Sequence, residues 1–160
     1  MNDRKVERTM LTEEGYERLS EKVEEIQGKV QQNRDDMSRT AKNGDLSENA
    51  GFMAAKESYE SHLSSLNELR DVLNEAQVIK SEEIETERVG FGNSVTVKDL
   101  DKDKQYTYKI VGKYEARMEK GEISIKSPVA QGLLDREQGD IAEIDTPGGR
   151  TKYEIVEIEK

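Results

Sequence analysis

Residues 16–40, YERLSEKVEEIQGKVQQNRDDMSRT, and residues 52–76, FMAAKESYESHLSSLNELRDVLNEA, decide the fold. In the first stretch Tyr16, Leu19, Val23, Ile26, Val30, Asn33, Met37 and Thr40 recur in alternating steps of three and four. In the second, Phe52, Ala55, Tyr59, His62, Leu66, Leu69, Leu73 and Ala76 do the same. Such heptad spacing gives each segment one seam along a helix. No proline interrupts either stretch, and both are rich in good helix formers. The seams fold onto each other when Tyr16 is set against Ala76, Leu19 against Leu73, Val23 against Leu69 and Ile26 against Leu66. Val30 then meets His62, Asn33 meets Tyr59, Met37 meets Ala55 and Thr40 meets Phe52. The numbers in every pair add to 92. An antiparallel hairpin requires that constancy, and it puts the turn at Leu46. Thr12, followed by Glu13 and Glu14, reads as the N-cap of the first helix with acids on its first turn. At ~1.5 Å per residue, residues 12–44 would form a rod about 50 Å long. The seam pattern alone fits a plain spacer as well as a rod that reaches into a partner's channel.

Composition narrows the function. The chain has 160 residues, of which 32% are hydrophobic and 38% charged. That is too polar for one large layered core, and it suits a long exposed helical part joined to a small globular one. The formal net charge of -10 argues against a free duplex-binding protein, because DNA binding needs cations to neutralise phosphates. With no Cys there are no disulfides or thiolate metal sites, and the single His62 cannot build a histidine cluster. On the seam it reads as a structural residue. No apolar run approaches the roughly 20 residues that span a bilayer, and the charged N-terminus lacks a signal-peptide core. A cytoplasmic protein with no membrane partner is expected.

The turn carries the chemistry-bearing residues, in the string Asn43-Gly44-Asp45-Leu46-Ser47-Glu48-Asn49-Ala50. Gly44 suits the left-handed position that ends a helix. Asp45 and Glu48, three apart, can face the same way. Two carboxylates without His or Cys make a poor closed metal site but a reasonable half-site for Mg²⁺, which takes oxygen ligands and shares them with phosphates and water. A structural reading stands beside it. Asp45 can be the N-cap of the second helix and Glu48 its N3 residue, a capping box.

The second half changes character after the charged, aperiodic segment 81–88, which gives expected domains of 1–80 and 81–160. Strand-like runs follow at 94–98, 105–111, 122–126, 140–145 and 151–158. Val95 and Val97, Tyr106 and Tyr108, and Ile123 and Ile125 alternate with period two. Residues 101–104 and 146–149 read as hairpin turns. Ser127 and Pro128 read as N-cap and N1 of a short helix running to Leu134. The whole chain is therefore expected to be α+β: an antiparallel coiled-coil hairpin and a small curved sheet with one helix. Gly90-Phe91-Gly92 is too short for a phosphate loop.

The string GDLSENA at a hairpin turn resembles the signature of the Gre family of bacterial transcript-cleavage factors. LTEEGYERL near the N-terminus, then YKIVG, ISIKSPVAQGLL, GD and TPGG, fall in that family's order. The acidic balance and Leu46 resemble its A-type branch. The resemblance implies an FKBP-like second domain, although Phe91 is its one phenylalanine and there is no Trp to line a prolyl-isomerase pocket. It implies a protein that enters the secondary channel of bacterial RNA polymerase, and a monomer is expected. There Asp45 and Glu48 would help hold a Mg²⁺ shared with the polymerase and position the water that cleaves backtracked nascent RNA near its 3′ end. The chain would then be a protein cofactor and not itself an enzyme. Lys42, Lys56, Arg39 and Arg34 would meet RNA phosphates, and Ser127 and Pro128 would form part of the polymerase-docking surface. This sequence departs from the family pattern at Gly51 and Phe52, where an acid and a Tyr usually stand. That departure keeps a second reading open, a channel-binding inhibitor of the same fold. A coiled-coil chaperone or adaptor is a third.

Overall fold

The computed structural model describes residues 9–42 and 49–160. In chain order the elements are β1 (Met10–Thr12), α1 (Glu13–Ala41), α2 (Ala50–Glu75), β2 (Gln77–Ile79), β3 (Ser94–Asp99), β4 (Lys104–Val111), β5 (Glu122–Ser124), α3 (Pro128–Leu133), β6 (Ile141–Thr146) and β7 (Gly149–Glu159). Short 3-10 turns lie at Ser81–Glu83 and Met118–Lys120. The α+β expectation holds: two long helices and a separate sheet carry the chain. By contacts, however, the chain does not divide in simple chain order. One compact unit joins the N-terminal residues through Tyr16 to Ala76–Lys160, and the other is Glu17–Glu75.

The helical unit is held by the heptad seam. Ile26, Val30 and Leu66 are buried, and Val23, Tyr59, Leu63 and Leu69 pack around them. Ile26 and Leu66 thus share one cluster, as do Val23 and Leu69, which is what pairs adding to 92 require. Full burial of each such aliphatic side chain contributes about 1.5–3 kcal/mol. Leu63 joins the cluster although it lies off the predicted seam, and Val72 is more deeply buried than its neighbour Leu73. Towards the turn the apolar layer gives way to a polar one. The Nδ1 of His62 lies 2.7 Å from the Oδ1 of Asn33. The hydrogen-bond partner of His62 is therefore the accepting amide oxygen of Asn33, one helical turn beyond its expected neighbour Val30. A paired polar layer of this kind fixes register in a coiled coil at some cost in stability.

In the other unit, five strands form one sheet in the order β5-β4-β3-β7-β6. β4 and β5 run parallel and the other neighbours antiparallel. All five were expected from sequence, within two residues at each end. Alternation on β3 sends Val95 and Val97 into a core with Ile110, Ile123, Ala142, Ile144, Tyr153 and Ile155. Ala130 and Leu133 of α3 close that core. Gly132 lets α3 approach closely, because a Cβ there would stand 2.6 Å from Ile144. The expected turn before β4 is built by Asp99, whose carboxylate accepts from the backbone N–H of Asp101 and Lys102, both at 3.0 Å.

β1 and β2 were not expected. They pair in parallel, Met10 with Gln77 and Thr12 with Ile79, as a separate ribbon of the sheet unit. Three residues each are too short to show a period, so no alternation signal exists to find. Tyr16, expected on the seam, is exposed.

Candidate functional site

Asp45 and Glu48 lie outside the described residues, as do Gly44 and Leu46, where the helix stop and the turn were expected. The two helix ends that flank them in the chain are described. α1 ends at Ala41 and α2 begins at Ala50. The Asn49 side chain serves both ends. Its Oδ1 accepts from the Phe52 backbone N–H at 3.0 Å, which makes Asn49 the N-cap and Phe52 the N3 residue of α2. Its Nδ2 donates to the Thr40 carbonyl at 2.6 Å, satisfying one of the carbonyls left open at the end of α1. The Asn49 carbonyl accepts the first helical bond from Met53, at 3.0 Å.

This corrects the capping-box reading of the turn. The N-cap of α2 is Asn49 and not Asp45, and Glu48 precedes the cap, so it cannot stand at N3. The physical reason lies in the amide. Asn caps a helix about as well as Asp, and it also carries a donor that an ionised carboxylate lacks. Only the amide can bridge an N–H of one helix and a carbonyl of the other.

The expected RNA-contacting cations are described and exposed. Lys42 follows directly after α1. Arg39, in the last turn of α1, pairs with Asp36 at 2.7 Å. Lys56 stands 4.0 Å from the Glu60 carboxylate, one turn on along α2. Exposed pairs of this type contribute roughly 0.3–0.5 kcal/mol and exchange readily for another anion.

A feature missed in the sequence lies between the helices near this end. Arg34, Met37, Ser38 and Ala41 of α1, with Phe52 and Tyr59 of α2, line an open cleft of about 330 Å³. The Arg34 guanidinium sits over the Tyr59 ring, 5.8 Å from its centroid, and donates to the Tyr59 hydroxyl at 3.4 Å. That hydrogen bond holds Arg34 above the usual arginine range. The signal was present: Phe52, Lys56 and Tyr59 at i, i+4 and i+7 share one helical face, which interleaves rings with a cation. The heptad pattern places Phe52 and Tyr59 on the seam and gives no sign of an open cleft.

In the sheet unit, Ser127 is the N-cap of α3. Its hydroxyl accepts from the Ala130 N–H at 3.2 Å, and Pro128 takes the first helical position, exposed. Met10, Lys113, Tyr114, Ile125, Lys126 and Gln131, the last three close to Ser127 in the chain, are among the residues lining a second cleft of about 330 Å³.

Curated relatives align over nearly the whole chain. The transcription elongation factor GreA of Bartonella tribocorum is 35% identical over 158 residues, covering 96% of this chain and 99% of that protein. The chain belongs to the GreA/GreB family of transcription elongation factors. GreA of Mesorhizobium japonicum is 39% identical over 153 residues, covering 93% and 96%. The family models agree. "Transcription elongation factor, N-terminal" matches residues 9–78, and "Transcription elongation factor, GreA/GreB, C-term" matches residues 84–160. Among solved structures, GreA factor homolog 1 of Thermus thermophilus is 26% identical with a TM-score of 0.45, covering 95% of this chain and 99% of that one. No helix of this family member is long and apolar enough among the described residues to cross a membrane.

Proposed function

We propose that this GreA/GreB-family chain stimulates cleavage of backtracked nascent RNA by bacterial RNA polymerase, with Asp45 and Glu48 as the acting side chains. Asn49 carries this reading. It holds the N-cap position of α2, so neither acid stands at the cap or at N3. Two carboxylates within four residues at the turn of a hairpin suit a shared divalent cation. Mg²⁺ takes hard oxygen ligands and accepts an incomplete protein site when phosphate oxygens complete it.

When bound, Mg²⁺ supplies a Lewis acid at the scissile phosphate. Asp45 and Glu48 would offer it carboxylate oxygens and would hold the attacking water by accepting its hydrogen bonds. The water oxygen bonds to phosphorus and the bond to the 3′ oxygen of the upstream RNA breaks. The water gives up a proton as its oxygen joins the 5′ phosphate of the released fragment, and the departing 3′ oxygen takes one up, leaving a 3′ hydroxyl from which synthesis resumes. The hydrolytic centre is the polymerase's, and this chain acts as its protein cofactor. Lys42, Lys56 and Arg39 would neutralise RNA phosphates, Arg39 by exchanging Asp36 for one. Ser127 and Pro128 would contribute to docking, with the neighbouring cleft beside Tyr114 and Ile125 extending that surface.

The test is to add the chain to stalled, backtracked elongation complexes and follow RNA length. Shortened transcripts that resume growth on addition of nucleotides are expected. Slower synthesis without shortening would make the chain a channel inhibitor, and no effect on the polymerase would remove both readings.

A further inference from the structure

The cleft between α1 and α2 has a composition that hairpin stability does not require. Below it the seam is closed by Ile26, Val30 and Leu66, and the polar Asn33–His62 pair ends that apolar layer. Beyond the pair, Met37 and Phe52 are only half-buried, and with Tyr59, which also packs on the apolar cluster, they line a gap of about 330 Å³ between the helices. Two aromatic rings and a thioether flank the gap, and the Arg34 guanidinium lies over one ring. Lys56 stands on the same helical face as both rings, and Lys42 follows directly after α1. Arg34 thus puts a cation at the cleft itself, and Lys42 and Lys56 are exposed close by in the chain, Lys56 within 4.0 Å of Glu60. Single-stranded nucleic acid is held by that combination, with bases stacked on rings and guanidinium planes and phosphates on nearby cations.

We infer that this cleft seats an unpaired base of the extruded RNA 3′ segment, stacked on the Phe52 ring, with Arg34, already placed over Tyr59, lining the same cleft, while Lys42 and Lys56 hold the adjoining phosphates. The inference rests on the cleavage function proposed above and adds to it a grip on the RNA separate from the acids. It also gives Phe52 a role. Where the family usually has Tyr, Phe52 keeps the ring and loses the hydroxyl, and stacking needs only the ring. A stacking seat is tolerant of base identity, because every base has a π-face.

The experiment uses the full chain and backtracked complexes whose transcripts are made abasic at each extruded position in turn. With intact RNA, Phe52→Leu should raise the concentration for half-maximal cleavage roughly tenfold, the scale of one lost base–aromatic stack. Phe52→Tyr should match the parent, and both variants should keep the parent's helical melting curve. With RNA abasic at the seated position, the parent should weaken by a similar factor and Phe52→Leu should cost nothing more. If Phe52→Leu costs the same on every abasic transcript, the cleft faces polymerase and not a base, and the inference is overturned while the function stands. If the parent cleaves no transcript at all, the function falls and this inference falls with it.

Discussion

Thr12 and Glu115, 103 residues apart in the chain, are joined by two hydrogen bonds. The Thr12 hydroxyl donates to one Glu115 carboxylate oxygen at 2.6 Å, and the Thr12 N–H donates to the other at 2.9 Å. The same hydroxyl accepts from the Gly15 N–H at 3.0 Å, the N-cap bond of α1. Both residues are buried. The helix cap expected from sequence is therefore also a long-range tie that fastens β1 to the segment after β4. A sequence reading finds the cap, because Thr before two acids is a local signal. It does not find Glu115, because nothing local marks a carboxylate as buried.

Removing Glu115 should be costly out of proportion to its size. Glu115→Ala leaves the buried Thr12 N–H without its acceptor, a loss of about 1–3 kcal/mol. Gly15→Ala should also destabilise the parent, since its Cβ would lie 2.3 Å from the Glu115 carboxylate. The two changes should be strongly non-additive, with Gly15→Ala costing much less once Glu115 is Ala. Denaturant melts of the four chains measure the cycle. Additive costs would mean that Gly15 is not there to make room for Glu115.

Asn49 should show a two-step loss. Asn49→Asp keeps an acceptor for Phe52 but loses the donor to Thr40, so it should be slightly destabilising. Asn49→Ala loses both and should cost about 1 kcal/mol or a little more. Helical melting followed by circular dichroism separates the variants. An Asn49→Asp chain less stable than Asn49→Ala would contradict the double cap.

Periodic elements were legible in the sequence. Heptads placed both helices and the pairing of Ile26 with Leu66, and two-residue alternation placed β3 and β4. Ser127 announced the start of α3 through local chemistry alone. What escaped was set by tertiary contact. β1 and β2 are too short to have a period, and Asn49 is one polar residue in a polar string. The cleft at Phe52 and Tyr59 needs two helices at known spacing before it exists. The acids were legible as residue types, but the competing capping role could be set aside only once the start of α2 was known.

Alkaline pH should weaken the sheet unit through Tyr153. Burial, with Tyr108 as the next cause, pushes its phenol from 10.0 up to about 12. Between those values the folded chain keeps a proton that the unfolded chain has lost, so stability falls as pH rises through that window. Below pH 10 the contribution is intact. Denaturation midpoints measured below pH 10 and near pH 12 should show a drop in the parent that Tyr153→Phe reduces. A drop of equal size in Tyr153→Phe would assign the alkaline loss to other groups.

Asp45→Asn separates chemistry from structure at the turn. Asn49 holds the N-cap position of α2, so Asp45 does not occupy it. The substitution removes one charge some residues ahead of the helix N-terminus, an effect of at most a few tenths of a kcal/mol. Melting temperature and competition for polymerase should stay near the parent's. Cleavage stimulation should fall steeply, since Asn offers Mg²⁺ a neutral carbonyl in place of a carboxylate. Glu48→Gln should behave alike. Raising Mg²⁺ should restore part of the activity in both, because mass action refills a weakened site. Phe52→Leu should gain nothing from added Mg²⁺, because its defect is in holding RNA. If Asp45→Asn cleaves like the parent at limiting Mg²⁺, the acids do not complete the metal site and the proposed mechanism is wrong.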